Sequence, residues 1–107
     1  MSKFITSQST VTSTDETVYT SPEKSPSIMI SGFIANKNSD SPAYVTLSYK
    51  SDDGITILIP SAPVPANSTY MFDCKLVIKE GASITAYTDN TTSGYVDLTL
   101  SYLLINE

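Results

Sequence analysis

The chain of 107 residues has no histidine, no arginine and no tryptophan, and it has a single cysteine. The absence of histidine excludes serine–histidine and cysteine–histidine catalysis and the usual zinc ligand sets. One cysteine cannot form an internal disulfide. No run approaches the roughly 20 apolar residues of a membrane-spanning helix, and the N-terminus lacks a signal-peptide pattern. We therefore expect a protein that is made in the cytoplasm, with no membrane partner.

The charge balance is acidic, with six lysines against eleven aspartates and glutamates and a net charge of −5. Such a chain is a poor ligand for nucleic acid, because neutralising phosphates needs a basic patch and base readout favours arginine. The glycines stand singly, so no glycine-rich phosphate loop is present. Asp52 and Asp53 are carboxylates suited to calcium, yet a hairpin turn before Gly54 also explains them. We expect no enzyme, no cofactor and no nucleic-acid partner.

Cys74 lies between an acidic and a basic residue, which raises the alternative of an activated nucleophile. A reactive thiol needs its pKa lowered by a cation or a helix N-terminus, but no helix is predicted here. In a strand, Asp73 and Lys75 point away from the residue between them. The sequence therefore predicts a structural role for Cys74.

Strand patterns cover the chain. The stretch Gly94–Ile105 alternates most clearly, with apolar residues at every second position from Val96 to Leu104. The turn Asp52–Gly54 predicts a hairpin between two further strands. The predicted strands are Phe4–Val11, Thr17–Thr20, Ser27–Asn36, Tyr44–Lys50, Ile55–Ile59, Tyr70–Asp73, Leu76–Ile78, Ile84–Thr88 and Gly94–Ile105.

About eight short strands between turn clusters predict one all-β domain, an antiparallel β-sandwich or jelly roll. We expect an N-terminal strand or arm over residues 1–16 and the β-sandwich domain over residues 17–107. The predicted core is centred on Val96, Leu98, Leu100, Val45, Leu47, Ile57, Ile30 and Leu76.

The order of several short motifs resembles a known protein family. The turn Val64–Ser68 is followed by Lys75–Ile78, then by Glu80–Ile84, and the strand Leu98–Leu103 closes the series. This order resembles the small β-sandwich virion proteins of tailed bacteriophages. These are capsid decoration (cement) proteins, head-fibre bases, and neck or tail accessory proteins. The resemblance implies a virion structural protein that binds the capsid or other virion proteins and has no catalytic residues.

An interface is predicted from apolar residues that a single sandwich core cannot all accommodate. The strand Ser27–Asn36 is apolar on both faces, and only one face of a sheet can look into the core. We expect Met29, Phe33, Leu103 and Ile105 to form an exposed patch that contacts another copy or the particle. The expected assembly is a homo-oligomer, a trimer or another closed ring. Alternatives are a neck, tail or fibre-associated structural protein, or a carbohydrate-binding adhesin module that uses its tyrosines.

Overall fold

The computed structural model describes residues 3–105, with every side chain in that range except that of Cys74. The predicted role of Cys74 in packing therefore lies outside the described residues. Eight strands are formed: β1 Lys3–Val11, β2 Glu16–Thr20, β3 Ser27–Asn36, β4 Ala43–Ser51, β5 Gly54–Val64, β6 Ser68–Ile78, β7 Ser83–Thr88 and β8 Val96–Leu104.

The strands form two four-stranded antiparallel sheets that pack face to face. Sheet A has the order β1-β8-β3-β6, and sheet B has the order β2-β7-β4-β5. Consecutive strands thus alternate between sheets except at the hairpin from β4 to β5, an arrangement that makes an eight-stranded jelly roll. Within the described residues, helical structure is limited to a 3₁₀ turn at Asn90–Thr92. The predicted all-β sandwich is confirmed.

The alternation of β8 sets the core. Its residues Val96, Leu98, Leu100, Tyr102 and Leu104 are buried, and the residues between them are partly exposed. Tyr102 stacks on Tyr19 of sheet B with ring centroids 3.9 Å apart, so the two sheets meet through aromatic faces. Of the other predicted core residues, Val45 and Leu47 are fully buried, and Leu76 is half-buried against the core.

Strand β3 changes phase in its middle, which the sequence pattern did not reveal. Met29 pairs with Tyr102, but Ser31 already pairs with Ser101, so Ile30 is an extra residue relative to β8. The bulge turns Met29 and Ile34 toward the core, although five positions separate them. Ile30 is only half-buried, so its predicted place at the centre of the core is wrong.

Gly32 marks a close approach in the same strand, as its position in a strand pattern indicated. A Cβ atom at Gly32 would overlap the ring of Phe72 and lie 2.7 Å from Leu100 Cδ2. The glycine therefore lets side chains of β6 and β8 fill the space over β3.

Two predicted strand boundaries were wrong. Strand β5 continues beyond Pro60 to Val64, because β5 is the edge strand of sheet B and needs no donor on its free side. Its two register shifts against β4 leave Ile57 57% exposed, so Ile57 is not a core residue. Strand β6 is continuous through the polar residues Asp73 and Lys75, which had suggested two separate strands.

Candidate interaction surface

The outer face of sheet A carries a row of apolar side chains across all four strands. Phe4 pairs with Leu103, Leu103 with Ile28, and Ile28 with Val77. We call these four residues the outer apolar row. With neighbouring strands about 4.8 Å apart, the row crosses roughly 14 Å of the sheet. Its two ends are the most open, with Phe4 77% and Val77 59% exposed.

A second apolar strip lies on the same face, toward the other end of the strands. Phe33 pairs with Met71 of β6, and the two side chains are 43% and 69% exposed. Polar residues separate this strip from the outer apolar row, since Ser31 pairs with both Ser101 and Asp73. The face therefore has two apolar strips and not one continuous patch.

The structure places three of the four predicted interface residues on or beside this face. Leu103 belongs to the outer apolar row, and Phe33 belongs to the second strip. Ile105 follows β8 directly, is half-buried, and donates its N–H to the carbonyl of Pro26 at 2.9 Å. Their role in an interface stays a prediction.

Met29 is the exception, because it has no exposed surface and belongs to the domain's own core. Simple alternation along Ser27–Asn36 put Met29 and Phe33 on one face. The bulge at Ile30 separates them, so the expected orientation of Met29 was wrong.

Strand β1 adds to this face and does not cover it. Lys3–Val11 pairs with β8 along its whole length, as an edge strand of sheet A. Phe4 thereby becomes the open end of the outer apolar row. Sequence reasoning missed Phe4, Ile28 and Val77, because their alignment appears only when the register of four strands is known.

The outer face of sheet B has a different character. Its two inner strands carry hydroxyl side chains, with Ser48 paired to Thr85 and Thr46 close to them. All three are nearly buried among their neighbours. Exposed large side chains of this sheet are Ile55 and Ile57 at the β5 edge, 64% and 57% exposed, and Tyr44 and Tyr87 on the inner strands, 45% and 38% exposed. In sheet A, by contrast, paired apolar side chains cross all four strands.

The predicted hairpin at Asp52–Gly54 is formed, with Ser51 paired to Gly54 and a positive φ of 124° at the glycine. Asp53 accepts a 2.7 Å hydrogen bond from the Lys79 ammonium group. This bond and the charge of Lys79 hold the pKa of Asp53 below its ordinary value. In residues 3–105, no group of three or more cysteine, aspartate or glutamate side chains lies close enough together to hold a metal ion. Asp52 and Asp53 thus stand in the turn of the predicted hairpin.

Asp89 holds the opposite end of the sandwich together. Its Oδ1 accepts hydrogen bonds from Thr92 Oγ1 at 2.7 Å, Thr88 Oγ1 at 3.1 Å and the Tyr44 N–H at 3.2 Å. Burial alone raises the pKa of Asp89, but the hydrogen bonds outweigh it, so the pKa lies below its ordinary value. The carboxylate thus joins β4 to the turn that follows β7.

Replacing Asp89 with asparagine should lower the free energy of unfolding by about 1 kcal/mol at neutral pH, since bonds to a charged acceptor are stronger. A lowered folded-state pKa means that this contribution is complete above the unfolded-state pKa of about 4. It is lost as the pH falls through the folded-state pKa. Urea unfolding of both proteins from pH 7 down to pH 2 measures the difference. A difference that stays constant over this range would contradict the assignment to the charge.

Among the described residues, no helix is long and apolar enough to span a membrane. No protein-family model and no curated protein sequence matches the chain.

Several solved structures share this fold. A subunit of the Bacillus endospore appendages, described as disulfide-linked pili, has a TM-score of 0.58 at 11% identity. The comparison covers 100% of this chain and 88% of that one. The nucleoplasmin-like N-terminal domain of Drosophila FKBP39 has a TM-score of 0.55 at 18% identity, covering 100% and 92%. A chain of the acid-stable capsid of Helicobacter pylori bacteriophage KHP30 has a TM-score of 0.54 at 9% identity, covering 98% and 87%. At these identities the likenesses show the fold alone.

Proposed function

We propose that this chain is a structural protein of a bacteriophage particle, a capsid decoration or head accessory protein that binds the particle surface. The outer apolar row is the observation that carries the proposal. An exposed row of large apolar side chains on a complete sandwich is typical of a surface that another protein covers.

The fold is compatible with such a role. A domain of this size and architecture forms nearly the whole of a bacteriophage KHP30 capsid chain and of a Bacillus pilus subunit. One of these chains comes from a capsid and the other from pili. A subunit that acts by packing needs a stable core and a contact face, and its acidic surface keeps the free protein soluble before assembly. No catalysis is part of this proposal.

Sheet A is the docking face in this proposal, for two reasons. Its apolar side chains extend across all four strands, so a partner can bury them as one strip. The charge of Asp97 on β8 is paired with that of Lys37, which follows β3, since Lys37 Nζ lies 3.3 Å from Asp97 Oδ2. On β8 the hydroxyl residues Thr99 and Ser101 lie between Asp97 and Leu103, so the outer apolar row has no charged neighbour next to it on that strand.

The test is co-purification with the particle. An epitope-tagged chain is expressed in cells that produce the particle whose genome encodes it, and the lysate is separated on a density gradient. We expect the tagged chain in the particle fraction, in many copies per particle. A chain that stays with the soluble proteins at the top of the gradient would remove the proposed role.

A double variant, Phe4→Asp with Leu103→Ser, should abolish this co-purification while the domain stays folded. Phe4 is exposed, and Leu103 lies beside it on the outer face. Both substitutions therefore change the proposed contact surface and not the core between the sheets. Ile55→Asp with Ile57→Ser is the matched control, because it makes the same polar changes at exposed residues of sheet B. Equal binding by both variants would show that the outer apolar row is not the docking face.

A further inference from the structure

Strand β6 is a long edge of sheet A, and the features that could protect it are the charges of Asp73 and Lys75. It pairs with β3 on one side, with a register shift at residues 74 and 75, and with no strand of the described chain on the other. Proteins usually protect such edges with prolines, charged side chains or bulges, or by keeping them short. The edges of sheet B follow this rule, since β2 has 5 residues and β5 contains Pro60 and Pro63. Strand β6 contains no proline.

The sequence of β6 is complementary to itself when it is reversed. On either side of Cys74 stand Asp73 and Lys75, then Phe72 and Leu76, then Met71 and Val77. In an antiparallel pair of identical strands centred on residue 74, residue 73 of one copy lies opposite residue 75 of the other. Each aspartate then faces a lysine, and each apolar residue faces an apolar residue.

The faces of the strand agree with this register. Met71, Asp73, Lys75 and Val77 are exposed, and Met71 and Val77 pair with residues of the outer face, while Phe72 and Leu76 are half-buried against the core. Every proposed pair therefore joins two exposed or two half-buried residues. Across an antiparallel pair of strands, opposite charges and matched apolar residues on one face stabilise the pairing.

Asp73 and Lys75 have no partners of their own among the described residues. The ion pairs within residues 3–105 are Lys37–Asp97 and Lys79–Asp53. The charges at positions 73 and 75 are thus free to pair with a second copy.

A crevice at the same edge gives the inner residues a further contact. It has a volume of about 340 Å³ and lies between the sheets, beside Phe72 and Leu76 and opposite Leu58 and Ile59 of β5. A second β6 strand would bring its own Phe72 and Leu76 to the rim of this opening, so pairing would also cover apolar surface.

We propose that two copies of this chain join by antiparallel pairing of their β6 strands about a two-fold axis at residue 74. The two sheets A then form one continuous eight-stranded sheet, and their outer apolar rows lie on the same side. The proposal deepens the structural role proposed above, because it states how two copies associate before they dock.

Charge exchange tests this register. Asp73→Lys places two lysines opposite two lysines, and Lys75→Asp places two aspartates opposite two aspartates. Each single variant should dimerise about 30-fold more weakly than the unmodified chain, because two favourable cross-strand pairs become two repulsive ones. Sedimentation velocity over a concentration series measures the dimerisation constant.

The rescue experiments separate this register from a general loss of stability. The double variant Asp73→Lys with Lys75→Asp restores opposite charges across the axis and should dimerise like the unmodified chain. An equimolar mixture of the two single variants should form heterodimers, since every lysine then meets an aspartate. Both substituted positions are exposed, so all four proteins should share one circular dichroism spectrum.

Several results would overturn the proposal. They are a monomeric unmodified chain throughout the series, single variants that dimerise normally, or a double variant that is not rescued. A ring built on unlike edges would give masses above the dimer and no rescue by mixing, which also overturns it. A chain that dimerises as proposed but stays off the particle would remove the virion role and leave the pairing intact. A chain that is found on the particle but stays monomeric in solution would remove the pairing alone.

Discussion

Replacing Met29 with aspartate should leave the chain unfolded, whereas the same change at Phe33 should leave a folded domain. Met29 has no exposed surface and packs in the core between the two sheets. An ionised carboxylate without a partner at such a site costs several kcal/mol, which is comparable to the whole stability of a small domain. Phe33 is 43% exposed on the outer face, where an aspartate stays hydrated.

Far-UV circular dichroism and thermal melting of the two variants give the result directly. The pair is well matched, because both substitutions lie in β3 and introduce the same side chain. Simple alternation along the strand places both residues on one face and predicts equal effects. A folded Met29→Asp protein, or an unfolded Phe33→Asp protein, would contradict the bulge at Ile30 that separates them.

Much of the fold could be predicted because most strands follow the simplest alternation. Strand β8 shows this best, since its buried and half-exposed residues alternate without interruption from Val96 to Leu104. The hairpin at Asp52–Gly54 was also readable, because a glycine with positive φ is the local requirement of a tight turn.

The errors came from irregular strands. A bulge adds one residue, so every later side chain of the strand points to the opposite face from the one that simple alternation predicts. No residue type in Ser27–Asn36 indicates which position is the extra one. The same effect displaced Ile57, since β5 shifts register twice against β4. Gly32 carried a usable signal, but the signal indicated a close approach and did not reveal the reversal at Ile30.

The candidate surface could be predicted only in part, for a different reason. Phe33 and Leu103 were identified because each strand had more apolar residues than one face can bury. The outer apolar row, however, depends on which residues of four strands lie side by side, and β1 and β6 are far apart in sequence from the strands they contact. Phe4 stands in a serine- and threonine-rich segment, so nothing local marked it as part of an apolar surface.

Truncating Leu98 to alanine should lower the free energy of unfolding by about 2–5 kcal/mol, the usual cost of removing a buried leucine side chain. Leu98 is 1% exposed, and its strand is bonded to β1 on one side and β3 on the other. The neighbours that would have to move into the cavity are held by these two ladders, so collapse around the missing atoms is limited. Ile57→Ala is the control, with an expected loss below about 0.5 kcal/mol, because Ile57 is largely exposed at the sheet edge. Urea unfolding at constant pH measures both values from their midpoints and slopes. Equal losses at the two positions would mean that Ile57 packs in the core as the sequence pattern suggested, and that the register shifts of β5 do not occur in solution.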